Sequence, residues 1–89
     1  MTDSVKNNLI EIQKKIQNLK ANSGNSGILQ QLLEEACKLL VPSDKEAGAK
    51  VLGYAKELKY YTRGGEDNLE RFYKCKAESL AIIAKKISQ

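Results

Sequence analysis

Apolar residues recur every three or four positions along most of this 89-residue chain, in four segments separated by short runs of turn-forming residues. This step matches the 3.6-residue turn of an α-helix, and no segment alternates with the two-residue period of a strand. The pattern therefore predicts an all-α protein with helices over about residues 4–21, 28–41, 44–62 and 67–87.

Four amphipathic helices joined by short loops favour a compact antiparallel four-helix bundle with up-down-up-down order. The length suits one hydrophobic core, so we expect a single domain over residues 1–89. A three-helix arrangement is the alternative, with helix one detached or swapped into a dimer. That alternative rests on the narrow apolar seam of helix one, formed by Val5, Leu9, Ile12, Ile16 and Leu19.

Local signals place the helix starts. Asp3 or Ser4 can cap helix one and Ser26 can cap helix two, since their side-chain oxygens accept free backbone amides. Ser43 and Glu46 stand three apart, as in a capping box, and predict the start of helix three.

Two expectations concern packing. Gly48 and Gly53 leave room for a close helix contact on helix three, at a cost of roughly 1 kcal/mol each relative to alanine. On helix four, the residues expected on the inner side are Leu69, Phe72, Tyr73, Leu80, Ile83, Ala84 and Ile87, with Ala77 between them.

The chain contains no histidine, which excludes Ser-His and Cys-His nucleophile pairs and a histidine general base. Cys37 and Cys75 lack metal-site spacing, so we expect buried reduced thiols and no metal or cofactor. The sequence therefore predicts a protein that is not an enzyme. With no apolar run of membrane length and no signal-peptide core, we also expect a cytoplasmic protein without membrane insertion.

Many charges form pairs four residues apart with the acid first, an order that stabilises a solvated helix face. Basic side chains that are paired with carboxylates in this way bind the phosphates of a nucleic acid poorly. The pairs are Glu11 with Lys15, Glu34 with Lys38, Glu46 with Lys50, Asp67 with Arg71, and Glu70 with Lys74.

All five aromatic residues fall in the hairpin of helices three and four. Tyr54, Tyr61 and Phe72 have a ready role in core or boundary packing. Tyr60 and Tyr73 each stand next to another aromatic, and adjacent helical residues point about 100° apart, so one member of each pair should be exposed. A solvated bundle end is the simpler interpretation, but we hypothesise that this hairpin end contacts a partner. The candidate residues are Lys56, Lys59, Tyr60, Tyr61, Arg63, Arg71 and Tyr73.

The sequence thus favours a small non-enzymatic protein-interaction module: an adaptor, an inhibitor, or an immunity- or antitoxin-like protein. It is either a monomer or a homodimer. The alternative is a nucleic-acid-binding accessory protein, in line with the net charge of +4. That function requires one basic surface, made either by Lys14, Lys15, Lys85 and Lys86 or by Lys56, Lys59 and Arg63.

Overall fold

The computed structural model describes residues 1–61 and 68–89, without the side chains of residues 23, 60, 61 and 68. Four α-helices occupy this part of the chain: α1 (Asp3–Asn18), α2 (Ser26–Leu40), α3 (Lys45–Tyr61) and α4 (Asn68–Ile87). α2 packs most extensively on α3, α3 also packs on α4, and α1 packs on both α2 and α4. The predicted antiparallel four-helix bundle is therefore confirmed. The predicted helix ends at residues 62 and 67 lie outside the described residues.

The apolar seam of α1 is buried within its own chain. Leu9 and Ile16 are fully buried and Ile12 is 6% exposed, all within one core that joins the four helices. Each fully buried side chain of this size contributes about 1.5–3 kcal/mol. The three-helix alternative, with helix one detached, is therefore wrong for this structure. The largest fully buried side chains are Phe72, Leu9, Ile16, Leu29, Leu33, Leu40 and Ile83.

The start and end of α1 differ from the prediction. Thr2, in place of Asp3 or Ser4, is the cap, and its hydroxyl oxygen accepts a hydrogen bond from the Val5 amide at 3.2 Å. The helix ends at Asn18 because the following residue turns to an extended backbone. The predicted extension toward residue 21 is thus wrong.

Asparagine side chains hold the loop between α1 and α2. Asn22 accepts the Asn25 amide at 2.8 Å through Oδ1, and the Asn25 side-chain amide donates to the Lys20 carbonyl at 2.7 Å. This 3₁₀ turn runs directly into α2, so the predicted cap Ser26 is instead the first residue of the helix, and it is buried.

The predicted capping box of α3 is also wrong, by one residue. Asp44 is the cap, because its Oδ1 accepts the Ala47 amide at 3.0 Å. The preceding Ser43 belongs to the turn that closes α2, where both its amide and its hydroxyl donate to the Leu40 carbonyl. That turn directs the serine side chain away from the amides of α3.

One of the two glycines predicted to allow close packing does so. Gly48 is buried against the C-terminal end of α2, whereas Gly53 is exposed and faces open space. The prediction is therefore confirmed for Gly48 and wrong for Gly53. Within residues 1–61 and 68–89, every helix is too short or too polar to span a lipid bilayer.

Candidate interaction site

One side of α4 packs into the bundle through residues three or four positions apart. Two residues that were expected there, Leu80 and Ile87, are half-buried at the edge of the core. The neighbouring helices cover only a narrow strip of α4, so few of its residues are fully buried. The buried strip consists of Phe72, Cys75, Ser79 and Ile83.

Both cysteines are free and buried, which confirms the prediction of buried reduced thiols. Burial, followed by the nearby Glu57 carboxylate, raises the pKa of Cys75 to about 11. The thiol therefore stays protonated near neutral pH, and a protonated thiol is a weak nucleophile.

A second apolar row on α4 faces solvent. Leu69 is 51% exposed and Tyr73 is 61% exposed, one helical turn apart. Ala77 and Ala84 continue the row and are also exposed. We call these four residues the outer face of α4. Their predicted inward placement is wrong, because the apolar sector of α4 is wider than the strip that the bundle buries.

Tyr73 is held in place by its neighbour Phe72. The two ring centroids lie 6.5 Å apart with the ring planes at 85°, an edge-to-face contact. Phe72 is 1% exposed, which confirms that one member of this aromatic pair is buried and the other faces water. A side chain already fixed by a core residue loses little conformational freedom on binding.

Arg71 belongs to a different surface from Tyr73. Its guanidinium donates to Oε1 of Glu57 on α3, and Lys74 Nζ lies 3.8 Å from the same oxygen. Residues two apart on a helix point about 160° away from each other. Because Arg71 reaches toward α3, Tyr73 faces away from α3.

The remaining candidates on α3 are spread around that helix. Lys56 and Lys59 are exposed, at about 100° and 160° around α3 from Glu57, so they face away from α4. The side chains of Tyr60 and Tyr61, and all of Arg63, lie outside the described residues. Among the described candidates, the lysines of α3 therefore lie on a different surface from Tyr73. The partner-binding role of the whole set stays a prediction.

The outer face of α4 borders α1. Lys76, one residue before Ala77, donates to the Gln17 carbonyl at 3.3 Å and the Leu19 carbonyl at 2.8 Å. These carbonyls lie at the C-terminal end of α1, where helix oxygens have no partner within the helix. This contact fixes α4 beside α1. Lys14, on α1, is exposed.

Tyr54 also contributes to the seam between α3 and α4. Its ring is half-buried against the core, and hydrogen bonding to Glu78, followed by burial, raises its pKa to about 12. Tyr54 therefore has the boundary role predicted for it. The carboxylate of Glu78 is directed to this seam.

Two of the lysines proposed for nucleic-acid binding, Lys15 and Lys86, lie among carboxylates. Lys86 pairs with Asp44, and this contact, followed by the Ala47 amide, holds the pKa of Asp44 below its usual range. Lys15 lines a groove of about 370 Å³ between α1 and α2, together with Glu11 and Glu35. Neither lysine therefore lies on a uniformly basic surface.

The sequence did contain a signal for the outer face. The apolar residues of α4 cover a sector wider than a bundle helix packed on two neighbours needs, so part of that sector had to face solvent. Periodicity alone does not say which part.

Comparisons with protein-family models, with curated proteins and with solved structures find no match to this chain. The functional argument therefore rests on the geometry of the described residues.

Proposed function

We propose that this protein is a non-enzymatic interaction module that binds a protein partner in the cytoplasm through the outer face of α4. The observation that supports the proposal is the exposure of Leu69 and Tyr73, two large apolar side chains one turn apart. Exposed apolar rows of this kind mark protein contacts, and tyrosine is enriched at binding hot spots. An adaptor, an inhibitor and an immunity- or antitoxin-like protein would all use such a face.

The non-enzymatic part of the proposal has separate support. The chain has no histidine, and the Cys75 thiol is buried with its pKa raised to about 11. The groove of about 360 Å³ at the start of α3 is lined mainly by charged side chains that include the Asp44–Lys86 pair. Such a paired carboxylate is a poor general base, because its lowered pKa weakens its affinity for protons.

Site-specific photo-crosslinking tests the proposal. A photoreactive residue in place of Tyr73 should form a covalent adduct with a protein in nuclease-treated lysate of the source cells. The same residue in place of Gln31, an exposed position on α2, is the control and should give no such adduct. Equal adducts from both positions, or none from position 73, would contradict the proposed face.

The same experiment tests the hypothesis that the end of the α3–α4 hairpin contacts the partner. A photoreactive residue in place of Tyr60 reports on the hairpin end, and one in place of Lys56 reports on the exposed side of α3. An adduct from position 60 with none from position 73 would move the site from the outer face to the hairpin end.

Nucleic-acid binding is the second candidate, and the net charge of +4 favours it. The position of Lys86 beside Asp44, and of Lys15 beside Glu11 and Glu35, weighs against it. Filter binding to random-sequence RNA and DNA distinguishes the two functions. A phosphate-binding surface loses affinity steeply between about 50 and 200 mM salt, so a flat response would exclude this function.

A further inference from the structure

Ion pairs attach α4 to α3 near both of its ends. Arg71 binds Glu57 of α3, and Lys74 Nζ lies 3.8 Å from the same Glu57 oxygen. Near the C-terminal end, Lys86 pairs with Asp44, which caps α3. The five side chains are 18–52% exposed. Because water and ions reach such groups, salt screens the attraction between them.

The contact between α4 and α1 also depends on a charge. The Lys76 ammonium donates to the carbonyls of Gln17 and Leu19, two oxygens at the end of α1. In the described part of the chain, the ion pair without a residue of α4 joins Lys50 to Glu46, and it lies within α3. The charged contacts between helices are therefore those that hold α4.

The buried strip of α4 provides little apolar attachment. Only Phe72 and Ile83 are large apolar side chains, since the other two residues of the strip are Cys75 and Ser79. The Ser79 hydroxyl is fully buried and has no hydrogen-bond partner among the described residues. An unsatisfied buried hydroxyl opposes docking, because it recovers its hydrogen bonds to water when the helix leaves.

The contact between α2 and α3 is of the opposite kind. Gly48 lets α3 approach the end of α2 closely, and these two helices have the most extensive contact in the bundle. Their buried side chains are mostly apolar, and burial of apolar surface does not depend on attraction between charges. The buried apolar residues of the two helices are Leu29, Leu32, Leu33, Ala36, Cys37, Leu40, Ala47, Val51, Ala55 and Leu58.

We propose that α4 is a detachable helix: it undocks as one unit while α2 and α3 stay packed, and salt favours the undocked state. Native proteins commonly open in such units, at a lower free energy than global unfolding requires. Undocking exposes Phe72 and Ile83 in addition to the outer face, so the free helix offers apolar side chains around most of its circumference. This device goes beyond the proposed function, because it operates whether or not a partner binds the outer face.

The two cysteines test the inference within one molecule, since Cys75 lies on α4 and Cys37 lies on α2. A maleimide labels a thiol only when the reagent reaches it, and mass spectrometry measures both labelling rates. Each rate is divided by the rate of the same cysteine in the unfolded chain at the same salt concentration. Between about 0.05 and 1 M sodium chloride, the Cys75 rate should rise at least about threefold, with little change at Cys37.

The order of the two rates is a further expectation. Cys75 is fully buried in the docked helix, whereas Cys37 is 8% exposed, so static burial alone predicts slower labelling of Cys75. If α4 undocks, Cys75 should instead be labelled faster than Cys37 at high salt.

Neutral variants separate the ion pairs from a general salt effect. The double variant Asp44→Asn/Glu57→Gln removes both carboxylates, and asparagine still caps α3. It should raise the Cys75 rate at low salt and abolish its salt dependence. Glu46→Gln is the matched control, because it removes the ion pair within α3 and should leave the salt response of Cys75 unchanged. Ser79→Ala should slow the labelling of Cys75 about fivefold.

Three results would overturn the inference. An equal salt response at both cysteines would show that α4 opens only together with α2. A Cys75 rate that does not change with salt would show that the ion pairs do not hold the helix. Slower labelling of Cys75 than of Cys37 at every salt concentration would show that α4 stays docked. None of these results affects crosslinking from position 73, so the proposed function is tested separately.

Discussion

A methyl group on Gly48 would lie 2.6 Å from Cγ2 of Val41, across the contact between α3 and the end of α2. It would also lie 3.3 Å from the carbonyl oxygen of Cys37, a backbone atom that a side-chain rotation cannot move. This contact is closer than a side-chain carbon normally tolerates. The two helices therefore approach each other at a point where only glycine fits.

Gly48→Ala should destabilise the fold by about 1–2 kcal/mol, because the steric cost exceeds the better helix propensity of alanine. Gly53→Ala is the matched control, since a methyl group there meets nothing within 4 Å. We expect it to stabilise the fold by about 0.5–1 kcal/mol. Urea unfolding of the two variants measures both effects. Stabilisation of similar size in both would show that the helices do not meet closely at Gly48.

Lys76→Met should destabilise the protein by about 1–2 kcal/mol, because it removes the donor to two carbonyls at the end of α1. Methionine keeps most of the apolar stem, so the change isolates the ammonium group. Lys14→Met is the control at an exposed position and should change stability by less than about 0.5 kcal/mol. Denaturant unfolding gives both values. If the two variants match, Lys76 does not cap α1 in solution.

Ser79→Ala should stabilise the protein by about 1 kcal/mol. The Ser79 hydroxyl is fully buried and has no hydrogen-bond partner among the described residues, so alanine removes an uncompensated polar group. Ser88→Ala is the control, because that exposed hydroxyl donates to the Lys85 carbonyl at 3.0 Å and should give no gain. A gain of this size raises the melting temperature by about 4–8 °C. A lower melting temperature for Ser79→Ala would mean that the hydroxyl is satisfied in solution.

Asp44 should make stability depend on pH in the acid range. Lys86 and the Ala47 amide lower its pKa in the folded protein, whereas the unfolded chain has the usual value of about 4. Its contribution is therefore present above the unfolded pKa and is lost as the pH falls through the folded pKa. Lys86→Met should raise the Asp44 pKa toward its usual value and reduce this loss.

Carbon-13 NMR titration of the Asp44 carboxyl group, together with unfolding midpoints from neutral to acid pH, measures both effects. Lys85→Met removes an exposed lysine next to Lys86 and is the control, so it should leave the Asp44 pKa nearly unchanged. An equal shift in both variants would indicate a general charge effect in place of the specific Asp44–Lys86 contact.

The helical period was enough to predict the four helices and most of the core. Leu9, Ile12 and Ile16 follow the period of a packed helix, and all three are buried. The capping residues were harder to predict. Both Ser43 and Asp44 accept hydrogen bonds from backbone amides well, and only the turn after α2 decides which of them caps α3. The contact between Lys76 and Leu19 spans most of the chain and leaves no local pattern to detect.

The candidate site was predictable only in part. The rule that adjacent aromatics on a helix point in different directions correctly gave one exposed ring in the pair Phe72 and Tyr73. Leu69 was expected to be buried, because periodicity cannot tell which part of a wide apolar sector meets a neighbouring helix. That choice depends on where α1 and α3 lie around α4, which is a property of the tertiary structure.

Phe72 and Tyr73 are adjacent in sequence, yet they are 1% and 61% exposed. Phe72→Ala should cost about 3–5 kcal/mol, because it opens a cavity in the core. Tyr73→Ala should cost no more than about 1 kcal/mol, mainly through loss of the edge contact between the rings. Denaturant unfolding measures both values. Partner binding is measured separately in the Tyr73→Ala variant, by crosslinking from a photoreactive residue in place of Ala77.

We expect Tyr73→Ala to abolish that crosslink while the protein stays folded, because the side chain serves the surface more than the core. A decrease of several kcal/mol in the free energy of unfolding of Tyr73→Ala would instead show that this tyrosine is a core residue. A crosslink of normal yield in the Tyr73→Ala variant would show that partner binding does not need the Tyr73 ring. The contact would then centre on Leu69 or on the alanines of the outer face.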